Sequence, residues 1–70
     1  MKYLISIVAR TEVPVPIAHK IVDREDLLVV FAEAMMALDE ITWANTPPRL
    51  SAQIFVLNPR QYVGEVLYPR

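Results

Sequence analysis

From Ile17 to Thr46 the chain runs without a proline or a glycine, while all six prolines and the single glycine lie outside that stretch. A breaker-free run of this length accommodates a helix of several turns, and the breakers around it restrict regular structure elsewhere to short strands. Residues 24–42 are filled with Leu, Ala, Met and Glu, strong helix formers, and predict a helix over that range. Asp23 is the expected N-cap, its carboxylate accepting from free amides of the first turn. Glu25 and Asp26 complement the positive end of the macrodipole. Asn45-Thr46-Pro47-Pro48 is the expected terminator.

The flanking segments change period. Residues 2–10 alternate and are β-branched, predicting a first strand with Tyr3, Ile5, Ile7 and Ala9 on one face. Thr11–Pro16 reads as a turn and 17–22 as a second strand paired to the first in a hairpin. Residues 50–58 predict a third strand with Leu50, Ala52, Ile54 and Val56 on one face. Asn58-Pro59-Arg60-Gln61 forms a turn, and 62–68 returns as a fourth strand. The order ββαββ predicts an α+β two-layer fold, a four-stranded antiparallel sheet with one helix on one face, over a single small domain of residues 1–70.

Composition matters because this layout has more apolar material than it can hide. The chain has 70 residues, 54% of them hydrophobic, and no cysteine. A domain this small buries only ~60% of its unfolded surface, so the surplus points to self-association or a partner. The absence of cysteine excludes disulfides, a thiol nucleophile and thiolate zinc sites. The N-terminal residues read as a strand rather than a secretory leader, and no run reaches the ~18 apolar residues of a membrane span. A cytoplasmic location with no membrane contact is the expectation.

The surplus falls on two surfaces. On the helix, Leu27, Val30, Phe31, Ala34, Leu38 and Ile41 form the core stripe, and Val29, Ala32, Met36 and Trp43 form a second stripe opposite it. On the sheet, Leu4, Val8, Phe55, Leu57, Val63 and Leu67 are expected on the face away from the helix, with Lys2, Arg10, Lys20 and Gln53 as a polar rim. Charge is also uneven. Residues 23–40 carry Asp23, Glu25, Asp26, Glu33, Asp39 and Glu40 against Arg24 alone, while Lys2, Arg10, Lys20, Arg49, Arg60 and Arg70 face only Glu12 and Glu65 elsewhere. Lys2, Arg10, Arg60, Glu33 and Glu40 are the charges expected to orient a partner.

Catalytic chemistry has little to work with. His19 is the single histidine, and a strand position at 17/19/21 suits a structural, hydrogen-bonded imidazole better than a general base. Ser6 and Ser51 sit in strands with no nucleophile-elbow pattern. The pairs Glu25-Asp26 and Asp39-Glu40 point ~100° apart on a helix and do not converge. No metal-ligand spacing and no glycine-rich phosphate loop is present, so no cofactor or metal is expected; Gly64 reads as a bulge or a close-contact point. A single-stranded nucleic acid could lie on an open sheet face, but Phe55 is the one aromatic expected there. A net charge of −1 also disfavours that partner.

In length, in ββαββ order and in lacking a catalytic constellation, the chain resembles the small accessory proteins of bacteriophages, anti-CRISPR proteins among them. The resemblance implies inhibition by covering a surface on a larger protein and carries no site residues with it. The reading is therefore a non-enzymatic protein-binding module and homodimer, with Trp43, Met36 and Phe55 as anchors. A single-stranded nucleic-acid binder is the alternative.

Overall fold

The computed structural model describes the backbone of residues 1–44 and 49–69, with side chains up to Ile41 and from Arg49 to Pro69. The elements run β1 (Lys2–Ala9), β2 (Val15–Asp23), α1 (Leu27–Ala44), β3 (Leu50–Val56) and β4 (Gln61–Tyr68). They form one antiparallel sheet in the order β2-β1-β3-β4 with α1 across one face. This is the two-layer ββαββ arrangement predicted from the alternation. The two hairpins lie side by side, and the segment containing α1 carries the chain from β2 to β3.

Strand parity fixes the core. Tyr3, Ile5 and Ile7 of β1 and Leu50, Ala52 and Ile54 of β3 are buried against Val30, Ala34 and Leu38 of α1. Ile5 pairs directly with Ile54 at the centre, and each fully buried Ile or Leu contributes ~1.5–3 kcal/mol of transfer free energy. The helix is ~10 Å across and strands are ~4.8 Å apart, so one helix spans about two strands. It packs on β3, β4 and β1. Gly64 of β4 lies under that seat: a Cβ there would lie 3.0 Å from Cζ of Phe31, so a larger residue would make the ring give by a few tenths of an ångström. On the other side β2 overhangs the helix, with every residue but Val22 exposed.

Several boundaries differ from the sequence-based expectation. The helix begins at Leu27, and its cap is Asp26: the Leu28 N–H donates to Asp26 Oδ1 at 2.9 Å. Asp23 is not the cap, because β2 continues through it, paired with Lys2, and its carboxylate accepts from the Met1 amine at 3.1 Å. Three residues are then needed to turn the chain onto the sheet. β2 starts at Val15 rather than Ile17, since an edge strand tolerates Pro16, which lacks an N–H. The expected terminator Asn45–Pro48 lies outside the described residues. The β3–β4 turn occupies residues 57–60 rather than 58–61, and Asn58 within it has φ 63°, a conformation that asparagine tolerates better than most residues.

Two irregularities interrupt the register, one where Ile17 is an extra residue in β2 and one in β4 that changes the surface. Ile54 pairs with Gly64, yet Phe55 pairs with Tyr62, so Val63 is an extra residue in β4. The bulge reverses parity beyond it. Val63 packs toward the core, contrary to its expected place on the outer face, and Tyr62 turns outward.

Candidate interaction surfaces

The register resolves the outer sheet face into rows running across the strands. Ile21, Leu4, Phe55 and Tyr62 are successive cross-strand partners, one from each strand. They make one continuous apolar row from edge to edge. The Tyr62 ring meets Phe55 edge-on, centroids 5.8 Å apart, and the Arg60 guanidinium lies 4.6 Å from the Phe55 centroid. Ile21 and Tyr62, at the two ends of the row, are 61% and 55% exposed.

The next row is polar throughout: His19, Ser6, Gln53 and Glu65. The third row is Pro16, Val8, Ser51 and Leu67, in which the Ser51 hydroxyl donates to Glu65 Oε2 at 2.8 Å. The face is therefore banded. Its polar residues form a stripe through the middle, not only the rim that the sequence suggested. Lys20 is not on this face at all; it pairs with Ile5 and points to the helix side. Val8 is only 9% exposed, and a hollow of about 350 Å³ beside it is lined by Thr11, Pro14, Ser51 and Glu65, so the β1–β2 loop shelters it and removes it as a free contact residue. Leu57 is half-buried, its N–H donating to the Lys2 carbonyl at 3.0 Å.

The solvent side of α1 is the second surface. Val29, Ala32 and Met36 are exposed as expected. Leu28, at 77%, and Met35 are exposed too, and sequence reasoning missed them although both lie on the helical wheel beyond the core stripe. The Trp43 side chain lies outside the described residues. Glu33 is not a free orienting charge: Arg24 reaches it at 2.6 Å from the end of β2 and ties strand to helix. Glu40 stays exposed, bordering a groove of about 200 Å³ between α1 and β2 that is lined by Ile5, Ile7, Ala18, Lys20 and Ile41. Lys2 and Arg10 are exposed at opposite ends of β1.

His19 is exposed on the edge strand, opposite Ser6, rather than buried as a structural imidazole. No group of three His, Asp or Glu side chains able to hold a metal ion occurs among the described residues. Among those residues no helix is long and apolar enough to cross a membrane. No protein-family model matches the chain, and neither a curated protein nor a solved structure matches it.

Proposed function

We propose that this chain is a non-catalytic protein-binding module, working as a homodimer, that occludes a surface on a larger protein. The carrying observation is the solvent side of α1. A helix lying on one sheet requires a single apolar side, yet Leu28, Val29, Met35 and Met36 are exposed along the other. Methionine adapts its shape to an irregular partner, and the acidic residues Asp39 and Glu40 beside it set orientation. Co-purification from the native host tests this. Leu28→Lys and Met36→Lys should each lose the retained partner while keeping the wild-type melting curve. Retention by both variants would move binding to another surface.

The second reading, a single-stranded nucleic-acid binder, gains from the bulge, which sets Tyr62 beside Phe55 with Arg60 stacked on the latter. Base stacking on such a platform contributes ~1–3 kcal/mol per base. Affinity for an oligonucleotide falling steeply between ~50 and ~200 mM salt, and lost in Tyr62→Ala, is the outcome that reading requires.

A further inference from the structure

We propose that the outer face of the sheet binds a second copy of this chain, sheet against sheet, about a two-fold axis parallel to the strands and passing between β1 and β3. The proposal rests on the homodimer part of the reading above and adds which face pairs and in what order.

The argument is self-complementarity. Such an axis exchanges β2 with β4 and β1 with β3 while keeping each row opposite itself. Ile21 then lies over the partner's Tyr62, and Leu4 over the partner's Phe55. In the polar row His19 meets the partner's Glu65, and Ser6 meets the partner's Gln53. Imidazole donates an N–H to a carboxylate whether it is charged or neutral, and a hydroxyl pairs readily with an amide. In these two rows every contact made twice by symmetry is apolar on apolar or donor on acceptor, the condition for an isologous interface.

A two-fold axis perpendicular to the strands along the polar row sets Glu65 over the partner's Glu65 and His19 over the partner's His19. One along the apolar row avoids that clash but overlaps only the rows beside it, so charge and overlap together select the first. Its one like-signed meeting, Arg10 with the partner's Arg49, falls at the exposed end of the sheet, where salt screens it. Area is sufficient. The face, within the 32 × 23 Å outline of the molecule, offers on the order of 500–700 Å² per copy, which clears the ~1,000 Å² total expected of a specific interface. Aligned sheets pack ~10 Å apart, leaving both helices on the outside of the pair with their exposed sides free for the larger partner.

Sedimentation of His19→Glu and Glu65→Lys, alone and mixed, tests this. Wild-type chain should sediment as a dimer at ~100 μM, whereas His19→Glu opposes two carboxylates twice and Glu65→Lys twice replaces the acceptor of the imidazole N–H by a donor, so each alone should pair about tenfold or more weakly. Mixed in equal amounts, they should recover a heterodimer. The carboxylate introduced at position 19 of one copy then faces the ammonium introduced at position 65 of the other, while the native pair is kept on the opposite edge. Ile21→Lys, at an exposed position, should dissociate the pair without disturbing the fold and covers the case in which losing the Ser51–Glu65 bond destabilises Glu65→Lys. A monomeric wild type overturns this proposal together with the homodimer reading. A dimer indifferent to His19→Glu, Glu65→Lys and Ile21→Lys, but broken by Met36→Lys, overturns only this face. Dissociation by the single variants with no recovery on mixing overturns the axis.

Discussion

The two faces of β1 meet very different surroundings. Ile5 and Ile7 point to the helix and are almost completely buried, while Leu4 and Ser6, one residue away, point outward and keep part of their surface in water. On the inner side closure is achieved by mass: one helix, seated over β3 and β4 by the space above Gly64, seals the centre of the sheet. The outer side is organised by rows, an apolar one beside a polar one, each crossing all four strands. A face that only had to be wetted would be polar in every row; a face that only had to be sealed would be polar in none. The banding is what the proposed pairing with a second copy uses to fix one register.

The sharpest way to break this comparison is to truncate one residue on each face. Ile54→Ala should cost ~2–5 kcal/mol in urea unfolding, because the cavity it leaves lies between sheet and helix and cannot collapse. Leu4→Ala, measured at high dilution, should cost well under half of that. Equal losses would mean that the outer face is a second core within the single copy.

The seat of the helix gives the next largest effect. Gly64→Ala forces the Phe31 ring away and should destabilise by ~1–3 kcal/mol, as overpacked sites do. Phe31→Leu in the same chain should restore part of the loss, a non-additivity read by a double-mutant cycle. Strict additivity would mean that the ring does not rest on that strand.

Smaller again are the two aspartates at the β2–α1 junction. Asp26→Ala removes the acceptor for the Leu28 amide and should cost ~1 kcal/mol, whereas Asp23→Ala breaks only an exposed ion pair and should cost a few tenths. The reverse order in thermal melts would restore Asp23 as the cap.

The sequence made the inner face legible and the outer face only partly so, for physical reasons. Alternation in β1 and β3 is strict because both strands are central, and a one-residue slip would expose Ile5 or Ile54. In β4 the pattern breaks where Val63 is inserted. A bulge leaves no composition signal there beyond the neighbouring glycine, so Tyr62 and Val63 exchange sides against simple parity. Lys20 escapes the expected rim for a related reason: on an overhanging edge strand a cation can point to the helix side and still reach water. The shelter over Val8 depends on how the β1–β2 loop folds back, and Leu28 and Met35 stay exposed because the helix sits toward β4 and the sheet reaches only one of its sides. Aspartates at 23 and 26 are equally competent caps in one dimension; the pairing of Asp23 with Lys2 separates them.

Hydroxyl-radical footprinting across a concentration series tests the central claim, that the outer face is covered by a second copy while the helix stays free. Tyr62 and Met36 are comparably exposed in the single chain, at 55% and 61%. As concentration rises through the pairing range, labelling of Tyr62 should fall severalfold while that of Met36 holds its dilute value. A constant Tyr62, or protection that appears at Met36 instead, contradicts the account.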